Sequence, residues 1–213
     1  MARDIELPKA PPQIMISLLR WFIGFPLFTI LGPIRIRNKR NIPQTGGLIV
    51  LCNHISDCDP IVSQLASPRQ MQFMSKSELW EIKWLGKFMK WWGNFSVRRG
   101  EPDRQSLRIA AELAKAGAVV CIYPEGKISE DGRLGPLMPG SALIVRMAGV
   151  PVICCGMQGN DKVMPYANLV PRPAFGWITS TWGEARTFDK DATNEEIIVW
   201  AESELRRLIP DPT

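Results

Sequence analysis

Short apolar runs alternate with stretches of helical periodicity along most of the chain. The apolar runs predict strands at residues 47–52, 71–74, 95–97, 118–123, 150–157 and 174–182. The helical periodicity predicts helices at residues 78–92, 102–116, 139–148 and 194–208. Because strands and helices alternate, we expect an α/β fold in which helices flank a central, mostly parallel mixed sheet.

The apolar stretch at residues 13–34 departs from this alternation because it is long enough to cross a bilayer. Arg20 would be costly at the middle of a membrane, and Gly24 and Pro26 disfavour a straight helix. We therefore predict a bent, membrane-associating helical segment that enters one leaflet. The alternative is an amphipathic helix of the core, although most core helices are shorter than this stretch.

A polar, proline-rich arm of residues 1–12 precedes the apolar stretch, and a basic cluster follows it. The cluster consists of Arg35, Arg37, Lys39 and Arg40. Such clusters mark the cytoplasmic side of a membrane. We predict two parts of the chain, an N-terminal arm and membrane-associating segment at residues 1–40 and a globular domain at residues 41–213.

The predicted helix at residues 78–92 is a second candidate for membrane contact. Its tryptophans and lysines, which recur at helical spacing, are Trp80, Lys83, Trp84, Lys87, Lys90, Trp91 and Trp92. Tryptophan and lysine together are typical of a lipid headgroup interface. A core helix with a solvated lysine face would give the same pattern.

Composition and charge narrow the possible functions. The hydrophobic content of 46% and charged content of 22% are typical of globular proteins, and the net charge of +5 favours anionic partners such as phospholipid headgroups. No long Lys/Arg cluster or aromatic–basic repeat indicates binding to nucleic acid. The five cysteines lack CxxC spacing and the chain has one histidine, so we expect buried reduced thiols and no metal site.

The single histidine, His54, is the first candidate for acid–base chemistry, because histidine normally changes its charge near neutral pH. It follows the strand at residues 47–52, and Asp59 and Pro60 predict a helix start with Asp59 as the N-cap. A carboxylate that reaches back from this helix can fix the imidazole tautomer and stabilise the imidazolium. The alternative is that Asp59 only caps the helix and His54 is an ordinary loop residue.

Two further loops carry charged residues after predicted strands. Glu125 follows the strand at residues 118–123, where it could bind a substrate hydroxyl or orient a cation. Arg99 follows the strand at residues 95–97, and a guanidinium there could bind phosphate through paired hydrogen bonds. A turn carboxylate and a solvated surface arginine are the structural alternatives.

Taken together, these elements resemble the motifs of the glycerolipid acyltransferase family, of the 1-acylglycerol-3-phosphate acyltransferase type. His54 and Asp59 match its first motif, H-x4-D, and residues 93–99 loosely match its second, G-x-x-F-[IV]-x-R, with Arg99 at the arginine position. The third motif, F-P-E-G-T-R-S, is matched by Tyr123, Pro124, Glu125, Gly126 and Ser129. The fourth, V-P-[VI], is matched by residues 150–152, so that all four occur in the family's order.

The third motif departs from the family pattern at Lys127 and Ile128, which replace the usual Thr-Arg. In the family, the missing arginine is implicated in holding the acceptor phosphate. Lys127 can supply a point charge but no bidentate guanidinium, so the identity of the acceptor stays open. A similar variant occurs in bacterial two-domain enzymes that reacylate lysophosphatidylethanolamine.

The resemblance implies a membrane-associated O-acyltransferase on the cytoplasmic face, working without a cofactor or metal. It implies transfer of a fatty acyl group from acyl-CoA or acyl-carrier protein to a lysophospholipid or glycerol-phosphate hydroxyl. The implied site has His54 as general base, Asp59 as the residue that orients it, and substrate-binding residues Arg99, Glu125, Gly126 and Lys127. An acyl thioesterase and a non-catalytic lipid-binding protein of the same fold are the alternatives.

Overall fold

The computed structural model describes residues 6–97, 103–166 and 170–209. The strands of this part of the chain are β1 (Ile34–Arg37), β2 (Leu48–Cys52), β3 (Met71–Lys76), β4 (Phe95–Val97), β5 (Val119–Ile122), β6 (Val152–Gln158) and β7 (Ile178–Trp182). Its α-helices are α1 (Gln13–Leu19), α2 (Phe25–Leu31), α3 (Asp59–Ala66), α4 (Glu78–Glu81), α5 (Lys83–Trp92), α6 (Arg104–Lys115), α7 (Pro139–Ala148), α8 (Asn160–Val163) and α9 (Asn194–Leu208).

The strands form one sheet in the order β1-β7-β6-β2-β5-β3-β4. Neighbouring strands are parallel except for β6 and β7, which are antiparallel. The predicted α/β fold with a mostly parallel mixed sheet flanked by helices is therefore confirmed. The carboxyl ends of β2, β5 and β6 share one edge of the sheet, which we call the carboxyl edge, and β7 begins at this edge.

Strand β1 lies within residues 1–40, which were predicted to form the N-terminal arm and membrane-associating segment. Ile34 and Arg37 pair in parallel with Ile178 and Thr181 of β7, so β1 is an edge strand of the sheet. Its arginines Arg35 and Arg37 are exposed. Charged side chains of this kind protect an edge strand from pairing with other chains.

The core lies on both faces of the sheet because β2 is covered on both sides. Ile49 and Leu51 pack toward the face that carries α6, α7 and α9. Leu48, Val50 and Cys52 pack toward the face that carries α3 and α2. A strand covered on both faces needs apolar side chains at every position, which explains the unbroken apolar run in the sequence.

Helices α1 and α2 are joined by a π-helical turn, Arg20–Gly24, and together form one helix, Gln13–Leu31, which we call the N-terminal helix. By length and composition alone, this helix is long and apolar enough to cross a bilayer. Pro26 is the second residue of α2, directly after this π-helical turn, and helix irregularities of this kind are typical beside a proline.

Both ends of the N-terminal helix are attached to the globular domain. At its start, Gln13 Nε2 donates to Pro68 O at 3.1 Å, and at its end, Leu31 O accepts from Ala174 N at 2.7 Å. Its inner side buries Ile16, Arg20 and Phe28, whereas its outer side exposes Ile14, Leu18, Trp21, Phe22 and Ile30; Ile23 and Leu27 are exposed at the border between the two sides. The helix therefore lies along the domain with most of its large apolar side chains uncovered.

The predicted helix at residues 78–92 is interrupted at Ile82, which separates α4 from α5. The indole N–H groups of Trp80 and Trp92 donate to atoms of β3, so these two rings are held against the domain. Trp84 and Trp91 are exposed. Of the four tryptophans that the sequence places on this helix, only these two are free of hydrogen bonds to β3 and face outward.

Candidate active site

His54 lies at the carboxyl edge, in the loop that connects the end of β2 to the start of α3. Its Nδ1 donates to Asp59 Oδ2 at 2.8 Å, and both side chains are buried. The helix cap differs from the prediction, because Cys58 is the N-cap and Asp59 is the first residue of α3. The Asp59 carboxylate is directed back to the His54 loop, and no side-chain hydrogen bond caps the helix.

The Asp59 carboxylate accepts four hydrogen bonds. Oδ2 accepts from His54 Nδ1 at 2.8 Å, Ile55 N at 2.7 Å and Ser56 N at 2.9 Å, and Oδ1 accepts from Asn160 Nδ2 at 2.8 Å. Hydrogen bonds of this kind stabilise a buried carboxylate in its charged form. With Nδ1 donating to a carboxylate, the neutral imidazole has an unprotonated Nε2, which is the form that can accept a proton from a hydroxyl group.

Sequence reasoning missed Asn160, which is fully buried at the start of α8 just beyond the end of β6. Its Nδ2 reaches Asp59, and its buried Oδ1 has no hydrogen-bond partner in the described ranges. Asn53 makes a related link, because its amide exchanges hydrogen bonds with the backbone N and O of Met157 in β6. The only sequence signal for either residue was an amide beside an apolar strand.

Tyr123 packs against the candidate base from the other side. Its ring stacks on His54 with the centroids 4.0 Å apart and the planes 17° from parallel. Burial raises the pKa of the Tyr123 hydroxyl well above its ordinary value, so this group stays protonated. The sequence marks Tyr123 only as the aromatic residue that opens the third motif, and the stacking shows why a ring suits this position.

Glu125 connects two loops of the site through its backbone hydrogen bonds. Oε1 accepts from His54 N at 2.9 Å, and Oε2 accepts from Gly135 N at 2.8 Å. Burial raises the pKa of this carboxyl, while the two N–H donors act in the opposite direction. The contacts show that Glu125 holds the His54 loop in place, and its predicted contact with a substrate hydroxyl or cation stays a prediction.

Two further predicted substrate-binding residues, Gly126 and Lys127, are exposed in the turn that follows Glu125. Gly126 has a left-handed backbone, with φ at 72°, and its N–H donates to Tyr123 O at 3.1 Å within the turn. Lys127 is exposed next to it. Arg99 lies outside the described residues. The structure thus brings His54, Asp59 and the Glu125 loop together at the carboxyl edge, with Lys127 on the outside of that loop.

The cysteines are not part of this constellation as nucleophiles. All five are buried, and burial raises the pKa of Cys58 to about 12. A thiol must lose its proton to act as a nucleophile or metal ligand, so this environment disfavours both roles. Within the part of the chain that the structure describes, no group of three His, Cys, Asp or Glu side chains is arranged to hold a metal ion.

An apolar cavity of about 320 Å³ lies between the N-terminal helix, α3 and α5. It starts beside the candidate site, because Pro60 and Ile61 in the first turn of α3 line it. The remaining wall is formed by Ile16, Leu19, Arg20, Ile23, Gly24, Leu27, Phe28, Gln64, Leu65, Phe73, Phe88, Trp92 and Asn94. Gly24 permits the N-terminal helix to approach α3 closely, since a Cβ there would collide with Leu65.

Comparisons with known proteins give a consistent result. The family model described as Acyltransferase matches residues 33–158. The 1-acyl-sn-glycerol-3-phosphate acyltransferase of Bacillus subtilis is 33% identical over 138 residues, which cover 64% of this chain and 68% of that protein. A chloroplastic 1-acyl-sn-glycerol-3-phosphate acyltransferase of Brassica napus is 35% identical over 133 residues, which cover 61% of this chain and 38% of that protein.

The fold also matches a solved structure. The crystal structure of the 1-acyl-sn-glycerophosphate (LPA) acyltransferase from Thermotoga maritima superposes with a TM-score of 0.75. The match covers 90% of this chain and 77% of that one, at 24% sequence identity. It supports the topology described above.

Proposed function

Because the chain belongs to the acyltransferase family, we propose that it is a membrane-associated O-acyltransferase. It transfers a fatty acyl group from acyl-CoA or acyl-carrier protein to the hydroxyl of a lysophospholipid or of glycerol phosphate. The observation that carries this proposal is the buried hydrogen bond between His54 and Asp59 at the carboxyl edge. The names of the relatives make 1-acylglycerol-3-phosphate the first acceptor to test.

In the proposed reaction, Nε2 of His54 accepts the proton of the acceptor hydroxyl while the hydroxyl oxygen attacks the thioester carbonyl. An ester C–O bond forms, the C–S bond breaks, and the imidazolium returns the proton to the departing thiolate. No covalent acyl-enzyme is needed, because a thioester is already activated toward an alcohol. Asp59 holds the required tautomer and stabilises the imidazolium.

The surroundings of His54 support this role because they fix both its ring and its backbone. Asp59 binds Nδ1, Tyr123 stacks on one face, and Glu125 accepts from the backbone N–H. Asn160 holds the second oxygen of Asp59. A general base must be held within hydrogen-bond reach of the proton that it removes, and a ring fixed in this way is preorganised for that task.

We further propose that Arg99 and Lys127 bind the acceptor phosphate. The place of Arg99 in the second motif supports its role, and the exposed position of Lys127 beside the Glu125 loop supports a charge contact. Because Ile128 replaces the arginine of the third motif, a single guanidinium from Arg99 would make the bidentate contact.

The apolar cavity is the proposed site of the fatty acyl chain. Its volume of about 320 Å³ is within the range of small-molecule sites, and its wall at Pro60 and Ile61 adjoins the helix start that carries Asp59. A chain that entered there would leave its carbonyl close to the His54 loop. The N-terminal helix forms much of the wall, which gives this segment a part in substrate binding as well as in membrane attachment.

For membrane attachment, we propose that the N-terminal helix lies in one leaflet on the cytoplasmic side. Its attachment to the domain at both Gln13 and Leu31 supports this arrangement, since a domain bonded to both ends of a spanning helix would itself have to lie within the bilayer. The exposed apolar side of the helix supplies the membrane contact. Trp84, Phe88 and Trp91 of α5 add exposed aromatic rings.

The test is an assay of the purified protein with labelled acyl-CoA or acyl-carrier protein and a panel of lysolipids, with products identified by mass spectrometry. We expect a diacyl product from at least one acceptor and none from the His54→Ala variant. Release of free fatty acid without acceptor acylation would identify a thioesterase. Absence of turnover with every donor and acceptor would favour a non-catalytic lipid-binding protein.

A further inference from the structure

The loop that precedes β7 exposes two large aromatic side chains, Phe175 and Trp177. The side chain of Phe175 is fully exposed, at 101% of its reference area, and Trp177 is 54% exposed. We call residues 170–177 the aromatic loop. A phenylalanine that stays fully in water loses the favourable free energy of burial, so contact with water alone does not explain why Phe175 lies at this position.

The aromatic loop is located where the candidate active site meets the N-terminal helix. Ala174 N donates to Leu31 O at the end of that helix, and Ile178 N donates to Pro33 O. The segment before the aromatic loop contacts the His54 loop, because Ser56 Oγ donates to Met164 O at 2.7 Å. The loop therefore continues the exposed apolar side of the N-terminal helix onto the carboxyl edge.

The charge around the aromatic loop is basic. The guanidinium of Arg35 lies 4.6 Å from the centre of the Trp177 ring, and Arg172 is exposed within the loop. Residues 170–177 contain no acidic side chain. Exposed aromatic rings flanked by arginines are complementary to the anionic headgroups and the interfacial region of a bilayer.

We propose that the aromatic loop is a second membrane-contact site, which inserts Phe175 and Trp177 into the interfacial region of an anionic bilayer. Arg35 and Arg172 bind lipid phosphates beside it. This inference rests on the proposed function and extends it, because it turns the carboxyl edge, and with it His54, toward the surface from which a lipid acceptor arrives.

The first test measures insertion directly with single labelled cysteines. The native cysteines are buried, so a thiol introduced by Phe175→Cys can be labelled selectively with an environment-sensitive fluorophore. Val199→Cys is the control, because Val199 is 68% exposed on α9, on the opposite face of the sheet. With vesicles of phosphatidylglycerol and phosphatidylcholine, we expect a blue shift at position 175 and none at position 199. Equal responses at both positions, or none at position 175 while the protein is bound, would overturn the proposal.

The second test measures binding of the full chain. We expect Phe175→Ser with Trp177→Ser to weaken partitioning to the same vesicles about tenfold or more, while Val199→Ser leaves it unchanged. In the Phe175/Trp177 double variant, turnover of an acceptor embedded in vesicles should decrease together with vesicle binding, whereas turnover of a dispersed short-chain acceptor should be unchanged. Wild-type binding by the double variant would refute membrane contact by the aromatic loop. The N-terminal helix would then be the membrane attachment, and a protein partner would be the occupant of the aromatic loop. Absence of vesicle binding by the wild-type protein would refute the proposed membrane association itself.

Discussion

Asn160 donates from Nδ2 to Asp59 Oδ1 at 2.8 Å, which joins the beginning of α8 to the beginning of α3 at the carboxyl edge. Through this bond, the Asp59 carboxylate has donors on both oxygens and cannot rotate away from His54 without losing them. The pair thus couples the end of β6 to the orientation of the proposed general base.

Replacing His54 should remove the acyl transfer and leave the fold intact. We expect His54→Ala to lower the rate about 10²- to 10⁴-fold, the usual contribution of a general base. Asp59→Asn should lower it by a smaller factor, because the base remains but its tautomer is no longer enforced. Steady-state assays with a confirmed acceptor, alongside circular dichroism, check this. Near-normal activity of His54→Ala would contradict the mechanism.

Replacing Asn160 should reduce kcat with little change in either KM, because the residue acts through Asp59 and contacts no substrate in the proposed mechanism. Loss of a hydrogen bond to a charged group predicts a decrease of roughly 10- to 100-fold in Asn160→Ala.

Asn160→Asp is the informative companion to this variant. A second buried carboxyl within hydrogen-bond reach of Asp59 Oδ1 shares one proton with it, so Asn160→Asp should keep the hydrogen bond at acidic pH and lose activity as the pH rises and that proton dissociates. A purely structural role for Asn160 would lower the melting temperature and leave the shape of the pH profile unchanged.

Glu125 should make stability depend on pH in a defined direction. Burial raises the pKa of its carboxyl in the folded protein. Its favourable contribution to the free energy of unfolding is therefore complete below the pKa of the unfolded state, roughly 4.3. The contribution is lost as the pH rises through the higher folded-state pKa. The free energy of unfolding of the wild type relative to Glu125→Gln should therefore fall as the pH rises from the unfolded-state pKa of roughly 4.3 through the raised folded-state pKa. Urea unfolding at several pH values checks this, and a constant difference would contradict it.

Arg99 should act mainly on the acceptor. Loss of a charge-assisted contact costs roughly 1.5–3 kcal/mol, so Arg99→Ala should raise the acceptor KM far more than the donor KM. Equal effects on both substrates would count against phosphate recognition. In the reverse direction, Ile128→Arg should improve the use of 1-acylglycerol-3-phosphate if the missing arginine of the third motif sets the preference.

The outer side of the N-terminal helix should dominate membrane binding. Deleting the helix is a poor test because Ile16 and Phe28 are buried against the domain, so substitutions of the exposed Trp21 and Phe22 are preferable. Wild-type binding to anionic vesicles should survive high salt. Trp21→Ser with Phe22→Ser should bind more weakly and release as salt rises, since the remaining attraction is electrostatic. Co-sedimentation checks this, and an unchanged double variant would show that the outer side is not inserted.

Some features of this protein follow from the sequence because their cause is local. Unbroken apolar runs and a periodicity of 3.6 residues reflect how an element is buried, so most strands, the longer helices of the domain and the α/β class were predictable, whereas β1 and α8 were not predicted. The spacing of His54 and Asp59 was also sufficient to predict their contact, because a strand end, a short loop and a helix start leave the two side chains within reach of each other. The predicted N-cap was displaced by one residue, since Asp59 bonds to His54 and the preceding backbone and Cys58 takes the cap position.

Only the tertiary structure determined the rest of the site, because its contacts join residues that are far apart in the chain. Asn160 lies 101 positions from Asp59, and Glu125 lies 71 positions from His54. They meet because the strand order places the ends of β6 and β5 on either side of β2, and no local pattern encodes that order. The same holds for the N-terminal helix, whose apolar length allowed a spanning or a one-leaflet arrangement. Its hydrogen bonds to the domain at both ends depend on the folded chain, and they are the support for the proposed one-leaflet arrangement.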